Sequence, residues 1–336
     1  MEKRKCFALV SMASVLFLTG CNGEKIAGSD SGNHQNVQII ANKINADFHR
    51  IRELSQAFAH YTREIYENQG RLKTGYTRSK YTTTSKGLTF KQADDGGSAF
   101  ISTGIAKNGT TKKKAQFTEF LDLFMIPAAN TYREIAQIYF NDAESIARIY
   151  PYFDIANMFD PGTDVRKFNF YFLADEQHNP QKKSVWVDAP YVDPAGRGWM
   201  ISAITPVFFD KKLTGVSGID VTLHTITQRY LQDAKQLYLL VASNGVVVAT
   251  DETAAQILEL PPLVDHKYIE TIKSNTFRSE AFNLLQSTSK TIRGVAERII
   301  NEKLQAVELT KKDNNYIVRA APLSELGWSL WQIMPH

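Results

Sequence analysis

The sequence predicts an α+β fold: one long N-terminal helix, then two antiparallel-sheet units that carry further helices. Three observations predict it. An apolar stripe recurs at seven-residue steps through Val37, Ile44, Ile51, Phe58 and Ile65. Runs rich in Val, Ile, Tyr and Phe then come in pairs joined by short polar turns, the pattern of antiparallel strands. Those runs fall into two groups, about 135–221 and 237–333, with helical stretches beside each, as expected for sheets covered on one face by helices.

The chain opens on Lys3, Arg4 and Lys5, followed by an apolar run from Phe7 to Leu18. A basic start, a short apolar core and small residues before a cut describe a secretory signal, here residues 1–20. The run is shorter than the roughly 20 residues that span a bilayer. Leu18, Thr19 and Gly20 stand directly before Cys21 and together resemble a bacterial lipobox. The resemblance implies that Cys21 is lipidated and becomes the first residue of the mature chain. Asn22 rather than an aspartate follows, which resembles the outer-membrane default of Gram-negative lipoproteins. The implied location is the bacterial cell envelope, facing the periplasm and held by lipid alone.

Residues 21–35 are rich in Gly, Ser, Asn and Asp and read as a flexible tether. The helix is expected over 36–68. Ile40, Leu54 and Tyr61 fill its second seam position, which Asp47 interrupts. Such a stripe serves packing within the chain or pairing with a second copy, a homodimer through this helix. Residues 69–115, dominated by Gly, Thr, Ser and Lys, read as irregular. A second helix is expected over 115–134, broken near Pro127. Strands are expected at Ile135–Phe140, Ser145–Tyr150, Ser184–Asp188, Trp199–Phe209 and Leu213–Val221, with a hairpin turn at Asp210–Lys212. The first unit, with the long helix, thus covers 36–222. The second covers 223–336: helices at 223–234, 266–274 and 280–302, and strands at Leu237–Ala242, Val246–Thr250, Gln305–Thr310, Tyr316–Ala321 and Trp328–Ile333.

Composition excludes several classes of function. Cys6 and Cys21 are the only cysteines, the first leaving with the signal and the second taken by lipid, so disulfides, cysteine–metal sites and thiol catalysis are ruled out. Removing the signal lowers the formal charge of +4 to about +2, too mild for a nucleic-acid partner. No phosphate-binding loop, nucleophile elbow or zinc-protease helix motif is present, and no cofactor is expected.

The segments Ser184–Asp193, Gly198–Ser202, Pro206–Phe209 and Gly215–Val221, with Tyr316–Leu323 and Gly327–Leu330 near the end, resemble the double Cache family. These are extracytoplasmic sensor domains with two PAS-like units, found in chemoreceptors and histidine kinases. The resemblance implies a small-molecule pocket in the first, membrane-distal unit. Because the transmembrane helix and signalling module of the relatives are not seen in the sequence, a signal is expected to leave through a partner in the membrane or periplasm, or through a second copy. Tyr191 and Asp193 match the family's Tyr-x-Asp element, Asp220 its Gly-x-Asp element, and Tyr171 the tyrosine of its Arg-x-Trp-Tyr element. The arginine and tryptophan positions of the last carry Phe168 and Phe170, a departure at the place where relatives grip a ligand carboxylate.

Read as chemistry, two carboxylates in one pocket favour a cation. Phe168, Phe170, Tyr171 and Trp186 offer apolar walls and cation–π faces. An amine-bearing or neutral polar solute is therefore expected rather than an α-amino acid. The same residues have plainer roles open to them: Asp193 can shape its turn, Asp220 can cap the following helix, and both phenylalanines can be core. Two other functions stay open on the sequence, a structural or interaction lipoprotein without ligand, and a hydrolase using the carboxylates.

Overall fold

The computed structural model describes residues 30–72, 80–104, 109–193, 196–232, 236–261 and 279–336. The signal, Cys21, most of the tether and the helix expected at 266–274 lie outside the described residues. Helix α1 (Asp30–Glu67) runs unbroken for 38 residues, roughly 57 Å at 1.5 Å per residue. Its stripe is spent inside the chain. Val37, Ile44, Ile51, Phe58 and Ile65 are all buried, in one core shared with both sheets. Burying each such side chain contributes about 1.5–3 kcal/mol, so the stripe alone explains why the helix stays docked. The stripe therefore serves packing within the chain, the first of its two expected uses. The interruption at Asp47 also has a reason: its buried carboxylate accepts from Tyr230 Oη at 2.8 Å and pairs with Arg50 and Arg229.

The first sheet has eight strands: β1 (Tyr81–Thr83), β2 (Thr89–Lys91), β3 (Ser98–Ile101), β4 (Gln137–Asp142), β5 (Ile146–Tyr150), β6 (Val185–Val192), β7 (Trp199–Phe209) and β8 (Lys212–Thr222). Their spatial order is β1-β2-β3-β5-β4-β8-β7-β6, and every ladder is antiparallel. Asp210 and Lys211 both take positive φ, as a two-residue hairpin turn requires. The second sheet holds β9 (Leu237–Val241), β10 (Val247–Thr250), β11 (Ala306–Lys311), β12 (Asn314–Leu323) and β13 (Trp328–Pro335), in the order β10-β9-β13-β12-β11.

Strands β1 to β3 correct the irregular reading of residues 69–115. They are short, and buried charge rather than apolar alternation ties them down. Lys91 is fully buried, donating to Gly97 O at 3.0 Å and pairing with Asp95. Arg148 on β5 is equally buried. It donates to Ala115 O at 2.9 Å and Tyr81 Oη at 3.0 Å, and pairs with Asp122 and Glu119. Burial pushes the Glu119 carboxyl up to about 7, against the pull of Arg148. The helix expected at 115–134 is three pieces: α2 (Gly109–Phe117), a 3₁₀ turn at Thr118–Leu121 and α3 (Asp122–Thr131), which accommodates Pro127. Between the sheets, Leu223–Ile226 is one α-turn that widens into a π-turn at Thr227–Leu231. The helix expected at 280–302 shortens to α4 (Lys290–Ile300), preceded by 3₁₀ turns.

Helix α1 serves both units. Near its C-terminal end Ser55 Oγ donates to Ala203 O at 3.0 Å, and Tyr66 Oη to Asp142 Oδ2 at 2.5 Å, both on the first sheet. Nearer its start Asn45 Nδ2 donates to Pro322 O of the second sheet at 3.2 Å. Between these points Glu325, in the β12–β13 turn, gathers donors from three directions. Its carboxylate accepts from Arg52 and lies 3.2 Å from His49 Nδ1, both on α1, and accepts from Trp186 Nε1 on β6 at 3.1 Å.

Candidate functional site

The described residues of the first sheet and the short helical turns over it enclose a cleft of about 370 Å³, mouth included. Its polar end is built by three neighbouring strands. On β8, Asp220 stands opposite Gln137 of β4 on one side and Ser202 of β7 on the other. Tyr191 and Asp193 come from the far end of β6, beyond an irregularity in the β6–β7 ladder. That shift re-aims the strand end toward the cleft, a common use of bulges.

Asp220 is fully buried and held on both oxygens. Oδ1 accepts from Ser202 Oγ at 2.5 Å and Tyr191 Oη at 3.3 Å; Oδ2 accepts from Gln137 Nε2 at 2.5 Å. Burial nonetheless raises its carboxyl to about 7, and the charge of Asp193 adds to the rise. The capping role open to Asp220 belongs instead to Thr222, whose Oγ1 accepts from Thr225 N at 3.1 Å. Asp193 does two jobs. Oδ2 accepts the Arg197 backbone N–H at 3.0 Å and so shapes the turn, while Oδ1 faces Gln137 Nε2 at 3.3 Å.

The opposite end is apolar. Phe168 and Phe170 stack with ring centroids 5.0 Å apart and an interplanar angle of 11°. Phe170 leans on Tyr191 at 5.4 Å and meets Tyr139 edge-on at 5.7 Å. These two phenylalanines sit where a single helical turn, Asn169–Phe172, drops onto the sheet, and both line the cleft with Phe100, Ile149 and Phe159. The interior is tight, leaving only about 20 Å³ for the centre of a water molecule. A water needs about 10–15 Å³ on that measure, so any larger guest must move a side chain.

Five of the seven residues read from the sequence therefore meet in this cleft: Phe168, Phe170, Tyr191, Asp193 and Asp220. Two do not line it. Tyr171 is buried in the same apolar cluster but is not among the residues lining the cleft, because one step along a helical turn faces it elsewhere. Trp186 packs on Phe48 of α1 at 5.3 Å and donates to Glu325, a contact between units rather than with a guest. Arg166 is no substitute for the missing arginine either: it is locked to Asp164 by Nε and Nη2, at 2.7 and 2.8 Å.

Three residues that the sequence reading missed complete the polar end. Gln137 bridges the two carboxylates. Arg197 donates from Nη1 to Gln137 Oε1 at 2.6 Å and from Nη2 to Pro151 O at 2.9 Å, with Asp193 Oδ2 3.8 Å away. Burial lowers its pKa. Tyr139 lies flat across Gly218, its register partner on β8. A Cβ on that glycine would come within 2.0 Å of Tyr139 Cζ, so the glycine of the Gly-x-Asp element is what lets the ring in. A cross-strand neighbour was the available signal for Gln137 and Tyr139, but the register had to be known first.

Solved structures share this architecture. The ligand-binding domain of the Pseudomonas aeruginosa amino acid chemoreceptor PctB, in complex with L-Arg, superposes with a TM-score of 0.53 at 12% identity, covering 91% of this chain and 94% of that one. That of the Pseudomonas fluorescens chemoreceptor CtaA, in complex with L-isoleucine, gives 0.53 at 16% identity, covering 91% and 92%. The chain has the double Cache fold. A third such domain, from the Pseudomonas aeruginosa amino acid chemoreceptor PctC in complex with GABA, gives 0.50 at 15% identity, covering 91% and 100%. At these identities the likeness fixes the double Cache fold alone. No protein-family model and no curated protein matches the chain in sequence. Within the double Cache fold, the cleft described above belongs to the larger of the two sheets. No helix among the described residues is long and apolar enough to cross a membrane.

Proposed function

We propose that this protein is a lipid-anchored, periplasm-facing sensor of the bacterial cell envelope, at the outer membrane, that binds a small amine-bearing solute and signals through a partner protein in the membrane or periplasm. One observation carries the binding role. Two buried carboxylates, Asp193 and Asp220, converge at one end of an otherwise aromatic cleft. With both ionised and Arg197 beside them the polar end holds one net negative charge, which one ammonium neutralises. The chemoreceptor ligand-binding domains of the same fold support a sensing role; in this reading the unit at 36–222 holds the ligand and 223–336 is the part nearer the membrane.

Asp220→Asn tests the binding role. It removes the charge and keeps the shape. Truncating a buried charge pair typically costs about 2–5 kcal/mol, so affinity for an amine found by thermal-shift screening should fall by tens-fold or more. The melting temperature of the unliganded protein should hold or rise, because a carboxyl that resists ionisation is replaced by a neutral amide. An unchanged affinity in calorimetry would refute the assignment.

Cys21→Ser tests the anchor. The expected result is release from the membrane fraction or stalled processing. Identical fractionation of wild type and variant would remove the lipid from the reading.

The tight interior favours a second reading, a structural or interaction lipoprotein that keeps the fold without a guest. It predicts no stabilisation by any solute in the screen, whereas a ligand at 100 times its Kd would add about 2.7 kcal/mol.

A further inference from the structure

The two carboxylates of the cleft are already bridged, by a side chain of the same molecule. Gln137 stands directly across the β4–β8 ladder from Asp220. Its Nε2 donates to Asp220 Oδ2 at 2.5 Å and to Asp193 Oδ1 at 3.3 Å. Its Oε1 accepts from Arg197 Nη1 at 2.6 Å. Chemistry fixes the direction of this amide. A guanidinium can only donate, so it faces the amide oxygen, which leaves the nitrogen facing the carboxylates. The NH₂ group therefore occupies the point between two carboxylates at which an ammonium would sit.

Resting on the cationic-ligand reading above, we propose that Gln137 is a resident stand-in for the ligand's ammonium group: an amine binds by displacing the Gln137 amide from Asp193 and Asp220, and Gln137 thereby decides which solutes bind and how tightly. The selection follows from bond strength. A neutral donor that displaced the amide would exchange like for like and gain nothing. An ammonium brings a full positive charge that the amide lacks, so it gains direct ion pairing with the carboxylates on top of the hydrogen bonds it takes over. The filter passes amines and rejects neutral polar solutes, which narrows the ligand class to small primary amines.

The surroundings allow the exchange. Arg197 stays anchored on Pro151 O at 2.9 Å, over the Phe153 ring at 5.4 Å, and so offers Gln137 Oε1 a fixed partner while Nε2 swings away. Met200 Sδ, 3.7 Å from Nε2, is a flexible neighbour that can yield. The cleft interior has space for little beyond one water, so the volume vacated by the amide is volume the guest's head needs. The free protein thus holds its own site closed. Affinity is reduced by the fraction of time the amide is in place, a tax that removing the amide abolishes.

The experiment is calorimetry with n-butylamine, γ-aminobutyrate, L-alanine and L-arginine as probes and n-butanol as the neutral control. The proteins are wild type, Gln137→Ala and Gln137→Met, each alone and with Asp220→Asn. Gln137→Met keeps length and volume but cannot donate, so it stands in if the alanine variant fails to fold. The expected result is at least tenfold tighter amine binding in the Gln137 variants, no gain for n-butanol, and loss of the gain when Asp220→Asn is added. Weaker binding in the Gln137 variants would overturn the proposal by making Gln137 a ligand contact. So would equal binding, with wild-type affinity still dependent on Asp220, and the cationic-ligand reading would survive that result. If folded wild type and variants bind none of the amines, the cationic-ligand reading itself falls.

Discussion

Ile51→Asp unfolds the protein, where a change in an exposed dimer seam would merely separate two copies. Ile51 sits at the middle of α1 with about 1% of its surface exposed, in the core shared by both sheets. Truncating such a side chain costs about 2–5 kcal/mol. A buried carboxyl without a partner adds about 1–3 kcal/mol even when it takes up a proton. Together these amount to about 3–8 kcal/mol, enough to cancel the lower part of the roughly 5–15 kcal/mol margin that keeps a domain folded. Ile39→Asp is the control: Ile39 lies on the same helix but is 63% exposed, and its substitution should leave the melt unchanged. Circular dichroism and light scattering read both. A folded Ile51→Asp protein with the wild-type melting temperature would contradict the burial on which the fold argument rests.

Arg148→Met is expected to be nearly as damaging, for a different reason. It leaves Glu119 and Asp122 facing each other without their guanidinium partner in a buried corner of the first sheet. Breaking a buried pair from one side costs about 3–5 kcal/mol. The melting temperature should fall by roughly 6–20 °C, at about 2–4 °C per kcal/mol for a domain of this size. The loss should depend on pH. Glu119 sits at about 7 when folded, above its ordinary 4.5, so the folded state holds the extra proton between those values and stability declines as pH rises through them. Without Arg148 the carboxyl resists ionisation further, and the gap between variant and wild type should widen from pH 5 to pH 8. Adding Glu119→Gln should recover part of it. A flat gap across that range would show that Arg148 acts through packing, not charge.

What the sequence disclosed followed from periodicity. The stripe of α1, the hairpin at Asp210 and Lys211, and the strands from Gln137 to Thr222 and from Leu237 to Pro335 are regular patterns that hydropathy records. Strands β1 to β3 were illegible because they are only three or four residues long and Lys91 on β2 is an interior charge, which in a short strand reads as surface until its partner is known. The site was half legible. Asp193, Asp220 and Tyr191 stood out as motif residues, and Phe168 and Phe170 by their place in a departed motif. Gln137 and Arg197 carry no motif; what gives them meaning is a strand register and a turn that bring them to the carboxylates. Trp186 misled because its chemistry suits a pocket wall equally well, and only the position of Glu325 shows where it is used.

The long helix has a consequence for the order in which the molecule can come together. Asn45 bonds to Pro322 across 277 positions, and Arg52 to Glu325 across 273. A chain is synthesised from its N-terminus, so α1 emerges long before the strands that cover its first half exist. Until β12 and β13 arrive, half of its apolar stripe has nothing to rest against. Contacts so distant in sequence are slow to form, and chains that wait for them are exposed to aggregation and proteolysis meanwhile. A chain released even a few dozen residues early would lack the closing strands altogether, so truncated products should be cleared rather than accumulate half-folded.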